Sequence, residues 1–190
     1  KIIKKKIVEE KVIKLVEIIL KANFESQREI TEKGMPLGNL TSQFFANIYL
    51  NELDYFVKHT LKVKYYVRYV DDFILLHSSR MQLEEWKSKI DNFLRERLRL
   101  ELHPDKSKII PLSRGVNFVG FRNFNNHKLL RIRNIRGIKK KIKNFVKGKI
   151  SFGKLLDIYQ GWQAYAKWGN NYKLKEKIKG KIVEAILNKI

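Results

Sequence analysis

The chain of 190 residues contains no cysteine and no long uninterrupted apolar run. The lack of thiols excludes disulfide scaffolds, thiolate zinc sites and cysteine nucleophiles. No stretch approaches the ~18 consecutive apolar residues that span a bilayer, and no signal peptide is visible, so we expect no membrane partner. Hydrophobic residues still make up 44% of the chain, which is enough for a folded core and excludes wholesale disorder.

Acidic residues are missing from one long segment. The chain as a whole carries 41 Lys and Arg against 19 Asp and Glu, a net charge of +22. Between Lys106 and Leu156 there is no acidic residue, and these 51 residues contain 15 Lys and Arg. Charge of one sign on a folded, aromatic-rich segment favours a polyanion, and nucleic acid fits best because each neutralised phosphate releases counterions. A basic tail or a charged-membrane surface is the alternative.

The apolar pattern predicts an α+β fold. A period of 3.6 predicts helices over residues 2–22, 42–58, 80–100, 135–148, 152–168 and 172–189, the second of them capped by Thr41 or Ser42. Alternation and β-branched residues predict a hairpin over 63–77 and short strands near 107–111, 116–123 and 128–133. This order suggests a small antiparallel sheet covered on one face by helices, over residues 1–134, followed by an all-helical part, 135–190.

The sharpest chemical feature is the pair Asp71-Asp72 at the tip of the predicted hairpin. Adjacent carboxylates repel each other unless a cation neutralises them, and Mg²⁺ prefers carboxylate and phosphate oxygens. Two such ions about 4 Å apart serve in-line displacement at phosphorus. An isolated Asp-Asp most often reflects the preference of Asp for turns. Here the pair lies inside a hydrophobic hairpin of a chain that is predicted to bind polyphosphate.

A second feature is the loop Gly34–Gln43, which leads into a predicted helix. Its glycines let the backbone approach a ligand, and a helix N-terminus offers unpaired N–H groups to a nucleotide. On its own, however, such a loop is more often only the start of a helix.

Together these segments carry a resemblance. GMPLGNLTSQFFANIYLNELD (34–54) followed by YYVRYVDDFILL (65–76) resembles the palm of a reverse transcriptase. The resemblance implies that Asp71 and Asp72 are the catalytic, metal-binding residues of a Tyr-x-Asp-Asp turn. Tyr69 would support the primer end or the sugar, with a half-buried strand tyrosine as the alternative. The nucleotide and template site would be lined by Leu37, Gly38, Ser42 and Gln43.

The downstream segments extend the resemblance. LELHPDKSKI (100–109) resembles the palm motif whose lysine lies near the triphosphate, which leaves Lys106 and Lys108 as alternatives. GVNFVGFR (115–122) resembles the primer-grip hairpin, with Phe118, Gly120 and Phe121 as its residues. Residues 135–190 look like the helical thumb that grips the template–primer duplex. The expected contacts to the nucleic-acid backbone are Arg136, Lys139, Lys140, Lys143 and Lys147.

Aromatic residues recur every three or four positions in this helical part. Such a stripe is more often helix core than a platform for stacking bases. Its members are Tyr159, Trp162, Tyr165, Trp168 and Tyr172.

The loop also points to a subfamily. LGNLTSQ (37–43), with an aliphatic residue before the glycine, is similar to reverse transcriptases of diversity-generating retroelements, which copy template RNA into cDNA with errors at adenines. Group II intron enzymes usually have Gln before that glycine. Leu37 removes this amide donor, and lost polar contacts weaken discrimination between bases. A group II intron or retron-type enzyme, or a non-catalytic nucleic-acid-binding protein with a degenerate palm, is the alternative.

The resemblance also implies cofactors and partners. We expect two Mg²⁺ ions, with Mn²⁺ as a substitute, and template RNA, a DNA primer, dNTPs and a small basic accessory protein as partners. The expected location is the cytoplasm of a bacterium or of a phage host.

The sequence departs from the family pattern in one respect. The family places a further metal-binding Asp on a strand before a helix similar to residues 1–20, whereas this sequence begins at Lys1 directly in a helical pattern. Glu9, Glu10, Glu17 and Asp54 do not fit that role. We therefore expect a palm–thumb fragment without fingers or first Asp, and with little or no polymerase activity alone.

Overall fold

The computed structural model describes residues 2–5, 7–25 and 40–188. It confirms the predicted α+β class, with helices and two small antiparallel sheets. The chain forms two compact units, Lys1–Ile109 and Ile110–Ile190. The division into a palm at 1–134 and a thumb at 135–190 concerns function and stays a prediction. None of the described helices combines the length and the apolar character that a bilayer-spanning segment requires.

The first unit places one hairpin among helices. In chain order its elements are a 3₁₀ turn Ile3–Lys5, α1 Glu10–Glu25, α2 Leu40–Tyr55 with a π turn Phe56–Thr60, β1 Tyr65–Tyr69, β2 Asp72–Leu76, and α3 Arg80–Phe93 with a π turn Leu94–Leu98. The predicted hairpin and the third predicted helix are confirmed.

Two details of the predicted first unit are wrong. The first long helix begins at Glu10 and not at residue 2. Val8, just before this helix, is 90% exposed, so its side chain gives no packing that would extend the helix toward residue 2. Thr41 and Ser42 lie inside α2, which already includes Leu40, so neither hydroxyl precedes the helix as a cap must.

The core of the first unit lies between α2, α3 and the hairpin. Its fully packed members are Leu53, Val57, Val63, Ile90, Leu94 and Leu98. Phe56 stacks on Phe93 with ring centroids 4.2 Å apart, and the Tyr49 hydroxyl donates a 2.6 Å hydrogen bond to the Leu98 carbonyl. These contacts fasten α2 to α3, and Tyr66, Phe73 and Leu75 of the hairpin pack on the same cluster.

The second unit combines a three-stranded sheet with three helices. In chain order its elements are a 3₁₀ turn Leu112–Arg114, β3 Val116–Phe118, β4 Phe121–Asn123, β5 Lys128–Leu130, α4 Ile132–Val146, α5 Phe152–Ala166 and α6 Tyr172–Leu187. The last three predicted helices are confirmed to within three residues at each end. Sheet order is β3-β4-β5, and both pairings are antiparallel.

The strands of this region differ from the prediction in two ways. Residues 107–111 form no strand, because the chain turns at His103, whose carbonyl accepts from the Lys106 and Ser107 amides, and none of the described strands pairs with this segment. The single strand predicted near 116–123 is a hairpin of two three-residue strands, broken at Val119 and Gly120.

Two clusters hold the second unit together. The helical cluster takes three residues from α4, one from α5 and three from α6: Ile138, Ile142, Phe145, Leu155, Ile178, Ile182 and Ala185. The sheet packs on α5 through Phe121 and Leu130, which meet Ala166. One face of the sheet is thereby covered by a helix, and the other face stays open.

Candidate active site

The predicted acidic pair lies at the tip of the β1–β2 hairpin. Tyr69 pairs with Asp72, so Val70 and Asp71 form a two-residue turn. Val70 has a φ of 56°, while Asp71 is not in the positive region, a combination found in type II′ turns. A β-branched residue in the left-handed region is strained, and such strain persists only where surrounding contacts enforce it.

Arg68 supplies those contacts. Its Nη1 donates a 2.6 Å hydrogen bond to the carbonyl of Val70, the strained residue. Its Nε and Nη2 donate to the two carboxylate oxygens of Asp54 on α2, at 2.8 and 2.6 Å, in a bidentate pair. Nη1 also donates to Asn47 Oδ1 at 3.0 Å, so the guanidinium ties the turn to two positions on α2.

Tyr66 completes this network, and the three groups shift one another's proton affinity. The Tyr66 hydroxyl donates to Asp54 Oδ1 at 2.7 Å. Burial alone would raise the pKa of Asp54, but hydrogen bonds from Arg68 and Tyr66 and the charge of Arg68 outweigh it and lower that pKa. Burial, then Asp54, raises the pKa of Tyr66, and the hydrogen bond to Asp54 raises that of Arg68. Asp54 is therefore an ionised anchor of the turn, with both oxygens already bonded.

The hairpin has two unlike faces. Tyr66 and Arg68 point toward the core and α2, whereas Tyr65, Val67 and Tyr69 are exposed at 57%, 48% and 56%. Because cross-strand partners share a face, Asp72 lies on the exposed face beside Tyr69. The alternative of a half-buried Tyr69 is wrong, because its side chain is 56% exposed on the open face beside Asp72.

The hydrogen bonds between β1 and α2 show which end of α2 lies near the acidic turn. Tyr66 reaches Asp54, Arg68 reaches both Asp54 and Asn47, and Val70 lies further along the same strand. Strand β1 therefore runs opposite to α2, and the acidic turn lies toward the N-terminal half of that helix. Gln43 is exposed one helical turn before Asn47, on the same side, and the half-buried Ser42 precedes it. Leu37 and Gly38 lie outside the described residues.

Asp71 and Asp72 are both exposed, so their oxygens are accessible to a cation. They suit Mg²⁺ or Mn²⁺ in ligand type and in rigidity. Among residues 2–5, 7–25 and 40–188, no group of three or more His, Cys, Asp or Glu side chains is placed to hold a metal ion. Among the described residues, the acidic turn therefore brings together two carboxylates and no third possible ligand.

The lysines predicted near the triphosphate follow α3 in the first unit. Lys106 and Lys108 are both exposed, and the geometry favours neither over the other.

The predicted primer-grip residues lie at the β3–β4 turn of the second unit. Phe121 is only 7% exposed and packs on Tyr165, so it supports the hairpin, and Phe118 is half-buried. The Tyr165 hydroxyl donates to the Val119 carbonyl at 3.1 Å, and Asn134 Nδ2 donates to the Gly120 carbonyl at 3.2 Å. Gly120 has a φ of 80°, and a Cβ there would collide with the Tyr165 hydroxyl. The group left exposed at this tip is Val119.

The basic residues predicted to meet the nucleic-acid backbone are all exposed, four of them on α4 opposite its buried side and the fifth directly after the end of α4. They are Arg136, Lys139, Lys140, Lys143 and Lys147. The buried positions Ile138, Ile142 and Phe145 leave these cations on the outer side of the helix. This arrangement presents a row of positive charges that can neutralise phosphates.

The predicted aromatic stripe divides. Tyr159 and Trp162 pack against the helical core, as expected of core residues. Trp168 and Tyr172 are 71% and 72% exposed, and they lie beyond the end of α5 and at the start of α6, so the five residues do not share one helix. The prediction of a core stripe is therefore wrong for its last two members.

Sequence reasoning missed the residues that hold the acidic turn. Asp54 was considered only as a metal ligand, and Arg68 and Asn47 were not considered. The available signal was the alternation of β1, which puts Arg68 on the same face as the half-buried Tyr66. An arginine on an inward-facing strand position requires an anion, because a buried charge is stable only when paired.

Comparison with known proteins agrees with this geometry. A family model described as "Reverse transcriptase (RNA-dependent DNA polymerase)" matches residues 2–123, well over half of the chain. The chain therefore belongs to the reverse transcriptase family, whose members are RNA-directed DNA polymerases that use divalent metal ions and bind template RNA, primer and dNTPs. No individual curated protein matches the chain closely enough to count as a relative.

Proposed function

We propose that this chain provides the catalytic turn of an RNA-directed DNA polymerase, with Asp71 and Asp72 as metal-binding carboxylates. The observation that carries the proposal is the exposed acidic turn, which Arg68 fastens to α2 within the segment that matches the family. A rigid turn holds both carboxylates in fixed positions, so little reorganisation is needed when a cation binds.

Each predicted site residue has a role in this proposal. Asp71 and Asp72 hold Mg²⁺ or Mn²⁺, and Tyr69, beside Asp72 on the open face, supports the primer end or the sugar. When bound, the metal activates the attacking 3′-hydroxyl and neutralises the leaving pyrophosphate. The nucleotide and template side is formed by Leu37, Gly38, Ser42 and Gln43. Two carboxylates are fewer than a two-metal site uses, so we expect a further ligand from beyond the described residues.

The remaining contacts serve the polyanionic partners. Lys106 or Lys108 binds the triphosphate, the β3–β4 turn meets the primer, and the α4 cations Lys139, Lys140 and Lys143 bind backbone phosphates. In this proposal residues 1–134 act as palm and 135–190 as thumb.

The subfamily proposed is that of diversity-generating retroelements, because the sequence has Leu37 before Gly38 where group II intron enzymes usually have Gln. Restoring the amide with Leu37→Gln is expected to lower misincorporation opposite template adenines in an active enzyme. Misincorporation at the level of the unmodified enzyme would contradict this assignment.

Metal binding at the turn is the direct test of the main proposal. Mn²⁺ binding to the 190-residue chain is measured by electron paramagnetic resonance, with the variants Asp71→Asn and Asp72→Asn. Each substitution is expected to weaken binding at least about tenfold, since it removes one charged oxygen ligand. Asp105→Asn, an exposed aspartate in another turn of the same unit, is the matched control and is expected to change nothing.

Two results would overturn the proposal. One is Mn²⁺ binding that survives both substitutions at the turn. The other is an equal loss in the Asp105→Asn control, which would show only that net charge had changed. In an active polymerase that contains this turn, either substitution at the pair is expected to abolish RNA-templated primer extension.

A further inference from the structure

A cleft of about 960 Å³ in the second unit is lined by residues of the open face of the three-stranded sheet and by Leu130 of its edge strand β5. Its floor is formed by Asn117, Arg122 and Leu129, which are cross-strand partners and therefore share a face. Its walls are the start of α4 and the segment 169–175, which leads into α6. The volume is at the upper end of the ~300–1,000 Å³ that is typical of ligand pockets.

The charge of the cleft is of one sign. Five cationic side chains line it and no acidic residue does: Arg122, Arg131, Arg133, Lys173 and Lys175. In the part of the second unit that the structure describes, none of the five is in an ion pair. Cations gathered in a concave site without counter-charges attract an anion more strongly than the same charges spread over a surface.

The wall at residues 169–171 is fixed to the sheet. Asn170 N donates to the Lys128 carbonyl at 2.8 Å, and the Lys128 amide donates back to Asn170 Oδ1 at 3.2 Å. Asn171, only 4% exposed, accepts from the Leu130 amide at 3.1 Å and donates to the Ala166 carbonyl at 3.2 Å. A Cβ at Gly169 would meet the Lys128 carbonyl at 2.9 Å, so glycine permits this close approach. The cleft is thus formed before any ligand arrives.

Apolar groups are exposed among these cations. Leu129 is 37% exposed, Ile132 is 59% exposed and Tyr172 is 72% exposed, and all three line the cleft. Phe124 does not offer a free ring, because His127 stacks on it at 4.5 Å and the Arg122 guanidinium lies 5.4 Å from its centroid. Tyr172 is therefore the aromatic side chain available to a planar ligand.

We propose that this cleft binds a single-stranded segment of nucleic acid, with phosphates on its cationic side chains and unpaired bases against Leu129, Ile132 and Tyr172. In a duplex the base faces are stacked and unavailable, so exposed apolar groups in a cleft favour an unpaired strand. The Asn117 amide lies in the floor and can donate to and accept from a base edge.

The site is separate from those assigned above. The predicted primer-grip residues Phe118, Gly120 and Phe121 do not line it, and neither do the cations of the outer face of α4, such as Lys139 and Lys143. The inference goes beyond the proposed polymerase function, because it does not depend on metal binding at the acidic turn.

Fluorescence anisotropy with short labelled oligonucleotides tests the proposal. The probes are single-stranded RNA and single-stranded DNA of one sequence, and the corresponding RNA–DNA duplex. The cleft variant is Arg133→Glu with Lys173→Glu, and its matched control is Lys179→Glu with Lys181→Glu, two exposed positions of α6 outside the cleft. Both variants change the net charge by the same amount.

We expect the cleft variant to weaken single-strand binding at least about tenfold more than the control variant does. Tyr172→Ala is expected to weaken it by about tenfold, as the loss of one stacked base does. Duplex affinity should fall no further in the cleft variant than in the control. Tighter binding of the RNA probe than of the DNA probe would assign the cleft to RNA through its 2′-hydroxyls, and the reverse would assign it to DNA.

Three results would overturn the proposal. An equal loss in the control variant would mean that net charge alone drives binding, and an equal loss for the duplex would mean an ordinary backbone contact. The third result has two parts: the affinity for the single-stranded probe is unchanged in Tyr172→Ala, and inorganic polyphosphate displaces that probe completely. Together they would show that the cleft binds anions without recognising bases. If the double cleft variant has a lower melting temperature than the unmodified chain, the single variant Lys173→Gln is used in its place. A negative result in the Mn²⁺ test would not change the outcome of the oligonucleotide test. Each proposal can therefore be contradicted without the other.

Discussion

Valines occupy the left-handed backbone region at the tips of the β1–β2 and β3–β4 hairpins, with φ of 56° at Val70 and 43° at Val119. In each turn the carbonyl of the strained valine accepts a hydrogen bond from a side chain. In the β1–β2 turn the donor is Arg68 of the same hairpin, whereas in the β3–β4 turn it is Tyr165 of α5, with Asn134 of α4 holding the next carbonyl.

The two turns therefore depend on different kinds of interaction. The acidic turn is held by a charged group whose anchor is a partly buried carboxylate, so its geometry responds to protonation and to the loss of either charge. The β3–β4 turn is held by neutral hydrogen bonds and by the close fit of a glycine under a tyrosine hydroxyl, so its geometry responds to added volume. A metal-binding role suits the first arrangement, since Arg68 and Asp54 neutralise each other and leave the charges of Asp71 and Asp72 uncompensated.

The largest expected effect is that of a methyl group at the β3–β4 turn. Gly120→Ala should destabilise the second unit by about 3 kcal/mol, because an L-residue in the left-handed region costs ~1–2 kcal/mol and the collision with Tyr165 adds overpacking. Urea unfolding together with hydrogen exchange of residues 116–123 measures this. Gly161→Ala in α5, where a Cβ meets nothing within 4 Å, is the control and should stabilise by ~0.5–1 kcal/mol.

A double substitution sharpens the same prediction. In a Tyr165→Phe background the hydroxyl is absent, so Gly120→Ala should cost less than it does alone. Equal costs in the two backgrounds would show that the fit under Tyr165 does not hold this turn.

Next in size is the loss of the cation at the acidic turn. Arg68→Met should destabilise the first unit by about 2–3 kcal/mol, because it leaves the Asp54 carboxylate unpaired and the Val70 carbonyl without its donor. Hydrogen exchange of residues 65–76 reports the change. Arg95→Met, which breaks a pair between Asp91 and an arginine that is 59% exposed, should stay within about 0.5 kcal/mol.

Arg68→Lys is expected to fall between these two variants, since lysine keeps the charge but not the bidentate fork. If Arg68→Met behaved like Arg95→Met, the turn would not depend on this network.

The same network predicts a pH dependence of stability in the first unit only. The pKa of Asp54 is lower in the folded chain than its usual value of 3.8, so its contribution to stability is complete above that pH and is lost as the pH falls below it. Unfolding free energies between about pH 6 and 2.5 measure the slope, and Asp54→Asn should reduce it. An unchanged slope in Asp54→Asn would contradict the assignment.

The smallest effect is the release of backbone strain. Val70→Gly and Val119→Gly should each stabilise by about 0.5 kcal/mol, because the strain relieved slightly exceeds the entropy cost of glycine. Val67→Gly, on regular β1 backbone, should instead destabilise by about 1 kcal/mol. Destabilisation of the same size at all three positions, in thermal unfolding, would show that neither turn stores strain.

The elements that the sequence predicts well are those whose evidence is local. The spacing of Ile138, Ile142 and Phe145 defines α4 without any knowledge of its partners, because a helix bonds to itself. A strand is different, since it requires a second strand. Residues 107–111 have the right composition but no partner among the described strands, and the prediction fails there.

In the candidate site, too, the features that were predicted are local in the sequence, and those that were missed depend on packing. The acidic pair and the glycine loop are contiguous motifs, and they are visible in the sequence. Arg68 and Asp54 are 14 positions apart, and their pairing depends on how β1 packs on α2. The cleft joins residues near 117–133 to residues near 170–175, and nothing in the charge run shows that these cations surround apolar groups.

Asn170 and Asn171 have one more consequence. The outer edge of a sheet is normally a template on which another molecule can add a strand, and β5 is such an edge. Here the two asparagines occupy the Lys128 and Leu130 hydrogen-bonding groups with their own backbone and amides. The loop between α5 and α6 thus covers this edge, so the bonded groups of β5 are not open to pairing with a further strand.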